Sequence, residues 1–226
     1  MFKSKEMAFT LAEVLITLGV IGVVAAITIP SLVANYKAHQ LRTQFLKSYS
    51  TIQQVFRQMQ NDEISLDPAD YAHASYYKTF SKYLTGVTDC GVYGNECYRT
   101  SFACHTYQNL KKKKGQPITT HLDDGQLLLS DGTVLMFDNL GRDNAPVLVS
   151  VDLNGFNSPP NRFGYDVFTF QLIDENIKAM GDLGTLYPDK DKYCSLNSND
   201  SLNGISCAVK ARSDADYFKW AVRNLK

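Results

Sequence analysis

Hydrophobic positions along the chain fall into two regimes. From Phe9 to Pro30 the sequence reads FTLAEVLITLGVIGVVAAITIP, and Glu13 is its one charged residue. As an α-helix this stretch rises roughly 33 Å at 1.5 Å per residue, enough to cross a hydrocarbon core of about 30 Å. Beyond Pro30 the apolar positions become periodic. Leu41, Phe45, Tyr49, Ile52, Phe56 and Met59 recur at spacings of three and four and so share one helical face. Lys37, Arg42, Lys47, Gln53 and Arg57 fall elsewhere and are expected to be wet. Asn61-Asp62 and the following Asp67-Pro68 end the pattern. The expectation is one helix from Thr10 to about Gln60, apolar all round at first and amphipathic later.

Residues Tyr71 to Leu84 predict a second helix with Tyr77, Phe80, Tyr83 and Leu84 on its apolar side, and Cys90 to Lys114 has no sustained period. The alternating and β-branched runs come next. Gln126–Ser130 and Thr133–Phe137 flank Asp131-Gly132, which reads as a hairpin with a two-residue turn. Pro146–Asp152 and Val167–Leu172 supply a third and a fourth strand, and short connections make the set an antiparallel meander. Its apolar face needs a cover, and the amphipathic half of the long helix is available. The fold class is therefore α+β, a long helix packed on an antiparallel sheet. Asp214 to Leu225 predicts a short terminal helix carrying Tyr217, Phe218, Trp220, Ala221 and Leu225.

Charge is balanced, with 23 basic and 23 acidic residues, so it points to no nucleic-acid partner. Its placement says more. Met1 to Ala8 is a short polar leader with Lys3 and Lys5, which orients that end to the cytoplasm and the rest of the chain to the far side of the membrane. All five cysteines (Cys90, Cys97, Cys104, Cys194 and Cys207) lie beyond the apolar block, without a zinc-ligand spacing, and disulfides suit an exported segment. A carboxylate such as Glu13 costs about 2.5–3.5 kcal/mol at the centre of a membrane helix, and less near the interface. No basic residue inside the block neutralises it. The physical inference is an intermolecular partner, for which a free α-amino group on a neighbouring chain would serve.

The leader, then Ala8-Phe9-Thr10-Leu11-Ala12-Glu13, then an apolar helix, resembles the N-terminal signal of type IV pilins and type II secretion pseudopilins. That resemblance implies cleavage by a prepilin peptidase between Ala8 and Phe9, and N-methylation of Phe9. It makes Glu13 the fifth residue of the mature chain, the family's assembly glutamate. Pro30 falls at the family's helix-bending proline. Ala8 departs from the usual glycine before the cut. The implied domains are a leader (1–8), a transmembrane or filament-core helix (9–34) and a periplasmic or extracellular pilin head (35–226).

The implied partners are the peptidase, other pilins or pseudopilins, the inner-membrane assembly platform and membrane lipid, for a single-pass protein of the bacterial inner membrane. The long middle and tail favour a minor subunit. The loop closed by Cys194 and Cys207 resembles the C-terminal disulfide region of pilins. Closing it would stabilise the fold by roughly 3 kcal/mol. Cys90 is left to pair with Cys97 or with Cys104. Gly19 and Gly22 would permit close helix packing or stand as ordinary membrane-helix glycines. Three other readings of the N-terminus stand beside this one: a secretory signal cut near Ala25-Ala26, a plain uncleaved anchor, and a buried helix of a soluble protein, which would need a far larger core than this chain can build. The alternative function is a membrane-anchored exported module that binds DNA or a surface ligand outside any filament.

No catalytic constellation emerges: there is no G-x-S-x-G, no H-E-x-x-H and no phosphate-binding glycine loop, and His39, His73, His105 and His121 are scattered. Neither an enzyme nor a cofactor is expected. Asp152 and Asn154, followed by Gly155, look like the start of a calcium loop, but the bidentate Glu of an EF-hand is missing. With Asp166, and with Asn157 and Asn161 between, they stand as weak calcium candidates against plain turn chemistry. Some major pseudopilins bind calcium in their heads, which keeps the candidates in view. The Lys111–Lys114 run reads as a solvated loop tip, with contact to an anionic surface or to DNA as its functional alternative.

Overall fold

The computed structural model describes residues 10–98, 103–115, 117–139 and 145–225. Helix α1 spans Leu11–Asn61, as the pattern predicts. Thr10 caps its start: its hydroxyl accepts from the Glu13 backbone N–H, while the Glu13 carboxylate reaches back to the Thr10 N–H. At its end Glu63 takes a left-handed conformation (φ 56°), and Ile64 N–H bonds to the Met59 carbonyl at 2.9 Å, which closes the last turn. The helix runs through Pro30 without interruption, although that residue has no N–H to give to Ala26.

Strands β1 (Thr88–Gly91), β2 (Gln126–Leu128), β3 (Val134–Asn139), β4 (Val147–Asp152), β5 (Val167–Ile173) and β6 (Asn176–Ala179) form one sheet whose spatial order is its chain order. Every neighbouring pair is antiparallel. The molecule is thus α+β, a meander with a long helix across it. The buried face of α1 is Ala38, Leu41, Phe45, Ser48, Ile52, Val55, Phe56 and Met59. Phe45 meets Phe168, Phe170 and Phe218 at centroid distances of 5.0, 5.7 and 5.7 Å. Tyr49 is only half buried; it stacks on Phe170 and donates to the Ile177 carbonyl. Of the positions expected to be wet, Lys37, Arg42 and Gln53 are half buried instead.

The sheet is covered on both faces, where one was expected. Leu135, Phe137, Val149, Val151, Phe168 and Phe170 point to α1. Their alternates Val134, Met136, Leu148 and Val167 join Cys104, Tyr107, Ile118, Leu122, Phe163 and Ile205 in a second core. The irregular region after Cys90 therefore works as a cover, and it also begins with strand β1. The runs VLMF and VLVSV carry no polar alternation, as strands buried on both sides should not.

Two further elements differ from expectation. The helix predicted over 71–84 shrinks to α2 (Tyr76–Ser81), preceded by a 3-10 turn at Pro68–Asp70. Ala74 has a φ of 54°, and its N–H goes to the Asn139 carbonyl, so helix cannot extend backward past it. The β2–β3 turn has three residues, not two. Gly132 N–H bonds back to Leu129 O, and Leu129 N–H to Thr133 O. Gly132 alone takes positive φ (87°) there, whereas a two-residue type I′ turn needs it at both central positions. Gly125, at φ 143°, cannot carry a side chain, because a Cβ would sit 2.0 Å from the Tyr77 ring.

The tail holds α3 (Lys190–Tyr193), the unanticipated α4 (Cys207–Ser213) and the expected terminal helix as α5 (Tyr217–Asn224). Cys194 and Cys207 are bonded, Cα atoms 5.0 Å apart. Of the two partners open to Cys90 it takes Cys97, and Cys104 is left free and buried.

Candidate functional site

The first half of α1 touches nothing. Exposure of its large apolar residues runs from 42% at Val14 to 77% at Leu11, so the fold supplies no cover for this surface. It is long and apolar enough to cross a membrane. Gly19 and Gly22 have open space beside them, leaving room for close approach of another helix. Glu13 sits in the first turn of this stretch. One carboxylate oxygen accepts from both the N–H and the hydroxyl of Thr10 at 2.8 Å. The local cap gives Glu13 a structural role, whose signal in the sequence is the Thr10-x-x-Glu13 spacing of a capping box. It leaves the charge itself without a counter-ion among the described residues. Ala8 and Phe9, the proposed cut and methylation positions, lie outside the described residues.

The calcium candidates come together at one end of the sheet. Asp152 Oδ1 accepts from the Asn154 and Gly155 N–H groups, and Oδ2 accepts from the Tyr107 hydroxyl at 2.7 Å. Asp166 accepts from the Asn161 and Arg162 N–H groups at 3.1 and 2.6 Å. Asn154 donates its amide to the Ser158 carbonyl. Both carboxylates are fully buried and act as hubs that fold the Leu153–Tyr165 loop. Burial raises the pKa of each, and the Asp152 charge raises Asp166 further. The Asn154 and Asn161 amide oxygens are buried without a donor. Among the described residues no group of three His, Cys, Asp or Glu could hold a metal ion.

A second polar cluster left no sequence signal, because its members are far apart in the chain. His121 Nδ1 lies 2.6 Å from Asp138 Oδ2, and its Nε2 lies 3.0 Å from the Tyr187 hydroxyl. A carboxylate only accepts, so Nδ1 carries the proton, and in the neutral ring Nε2 accepts from the Tyr187 hydroxyl. Burial raises the Tyr187 pKa, so its hydroxyl stays a donor rather than becoming a nucleophile. The line ties the covering loop to β3. Nearby, Asp123 is pushed up to about 6, by burial first and then by Asp124 and Asp138.

A pH dependence follows. A carboxylate with a raised folded pKa holds its proton where the unfolded chain has released it. Its stabilising contribution is complete below the ordinary aspartate value of 3.8 and is lost as pH rises through the folded value, about 6 for Asp123. The thermal midpoint of Asp123→Asn should therefore fall less than that of the wild type across this window. Equal slopes for the two proteins would show that Asp123 does not contribute to the dependence.

The Cys104 thiol is pushed up to about 12, chiefly by burial, and so stays protonated and inert. Lys111 to Lys114 are exposed on a tight turn in which Asn109 Oδ1 accepts from the Lys111 and Lys113 N–H groups. Lys111 Nζ reaches Asn199 Oδ1 at 2.8 Å. No aromatic residue stands between these lysines to stack a base.

Comparison with family models, with curated proteins and with solved structures finds no match, so the site is read from its own residues.

Proposed function

We propose that this chain is a type IV pilin-like subunit, a minor pilin or pseudopilin, held in the bacterial inner membrane by α1 and built into a filament through it. The observation that carries the reading is a helix half exposed on every side, uncharged but for one carboxylate near its start. A soluble helix would bury such a surface. A plain anchor would use Glu13 only to cap the helix and would leave its charge unpaired. A neighbouring subunit supplies both needs, packing against the apolar helix and offering an amino group to Glu13. The head, a helix laid across an antiparallel meander and braced by two disulfides, is compatible with the pilin layout.

Intact mass and the N-terminal peptide of the protein recovered from its native membranes test this. A chain beginning at methylated Phe9 is the expected result. A chain beginning at Met1 would reduce the protein to an uncleaved anchor, and one beginning near Ile27 would make it a secreted protein.

A further inference from the structure

The end of the head farthest from the apolar span, where α1 stops, carries a groove. Two crevices of about 580 and 610 Å³ share Ala145, Leu172 and Asp174 and run together across this end. Ile64, Leu66, Pro146 and Leu186 give the groove apolar walls, and Leu183, one residue before the lining Gly184, is 89% exposed. Four carboxylates, Glu63, Asp67, Asp174 and Glu175, line the first crevice, and among the described residues no Lys, Arg or His lines either one. Asp67 accepts from the Ala69 N–H and Glu175 from the Gln60 amide, but none of the four meets a cation among the described residues. Asp174 and Glu175 make the two-residue turn from β5 to β6 at φ 48° and 61°, positions that Asn-Gly fills at less cost. The charge is held there against the preference of the backbone.

The complementary charge sits at the other end of β5. Lys111, Lys112, Lys113 and Lys114 are all exposed, and none makes an ion pair among the described residues. Their turn is fixed to the segment that leads into β5: Gln108 bridges Arg162, and its carbonyl accepts from the Phe163 N–H. Asp174 and Glu175 follow the far end of that strand. Val167 to Ile173 rises roughly 20 Å at about 3.3 Å per residue, so the tip and the groove of one copy stand apart. Lys111 Nζ is held by Asn199 of the loop that Cys194 and Cys207 close, on which Leu196 is 44% exposed. The tip thus presents cations beside an apolar side chain, and the groove presents carboxylates beside apolar walls.

We propose that the Lys111–Lys114 turn of one copy docks in the acid-rimmed groove of a second copy, so that heads meet end to end along the filament. The contact rests on the filament reading and names the surfaces by which the heads join in it. Both halves of the contact are present on every chain and neither is used within it, which favours a second copy over an unrelated partner. The ion pairs fix which surfaces meet and weaken with salt, while the apolar half of α1 supplies most of the buried area.

The test treats filaments recovered from cells with a carbodiimide, which joins a lysine amine to a carboxylate only where the two touch. Linked peptides are then read by mass spectrometry. Links from Lys111–Lys114 to Glu63, Asp67, Asp174 or Glu175 are the expected result, and the length of β5 keeps them from forming within one chain. Asp174→Lys with Glu175→Lys should lower those links at least about fivefold, and Lys112→Glu with Lys113→Glu should do the same. Cells expressing both double variants should regain a link, now between the reversed tip and the reversed groove, which also shows that both variants fold. Normal filaments without tip-to-groove links, or with the groove linked to another protein, would overturn the contact and leave the filament reading standing. A chain that begins at Met1 and enters no filament would overturn the filament reading and the contact with it.

Discussion

Phe45→Ala is expected to destabilise the head by about 3–5 kcal/mol, the usual range for removing a buried aromatic ring. The ring is fully buried between β5 and α5, in contact with Phe168 and Phe170 of the one and Phe218 of the other. Its loss removes packing from three aromatic partners at once, and none of them can collapse inward without leaving the sheet or the terminal helix. For a chain of this size the thermal midpoint should drop by roughly 10 °C or more. Leu46→Ala is the control: Leu46 follows in the chain but is 43% exposed, so its truncation should cost under about 1 kcal/mol. Denaturant unfolding of the full chain in micelles measures both. Comparable losses for the two variants would show that α1 does not form the floor of the head's core.

Glu13→Leu is expected to abolish incorporation into filaments, a drop of at least about tenfold, if the filament reading holds. The capping geometry makes this prediction sharper, because Glu13 has two separable roles. Its hydrogen bond to Thr10 closes the first turn of α1, and losing such a cap costs about 0.5–2 kcal/mol. Its charge, unpaired within the chain, is worth more when a cationic partner meets it in an apolar setting. Glu13→Gln keeps an acceptor for the Thr10 N–H and removes the charge. Filament recovery from cells expressing each variant should therefore be as low for Gln as for Leu. Normal recovery for Glu13→Gln would assign the residue to helix capping and remove the argument for an amine partner.

The two variants act on opposite halves of one helix, and the division between those halves follows from its neighbours. Beyond Ala38 the buried apolar positions of α1 join the head's core, with Phe45 against β5 and α5 and Phe56 against Tyr76 and Phe80 of α2. Before Ala34 the helix has only its own backbone, and its apolar side chains await a membrane or another subunit. The disulfides, the Asp152 and Asp166 hubs and the His121 line all serve the head. They brace the loops that cover the second face of the sheet, a region with little regular structure to hold itself.

Helix α1, the hairpin β2–β3, strands β4 and β5 and helix α5 were legible in the sequence, because each carries a pattern that repeats within its own length. A 3.6-residue period or an unbroken apolar run is a local property and needs no partner to be seen. Strands β1 and β6 and helix α4 were not legible. They are short, they carry Gly, Asn, Asp or Cys, and they exist because a neighbouring strand or the Cys194–Cys207 bond holds them in place. The choice of Cys97 as the partner of Cys90, the isolation of Cys104, and the meeting of His121 with Asp138 and Tyr187 were likewise decided in three dimensions, where residues distant in the chain come within bonding distance. The sequence by itself determined a long helix, exposed at one end and amphipathic at the other, with one carboxylate near its start. Only the tertiary structure decided that both faces of the sheet are buried, because burial depends on what the rest of the chain brings to each face.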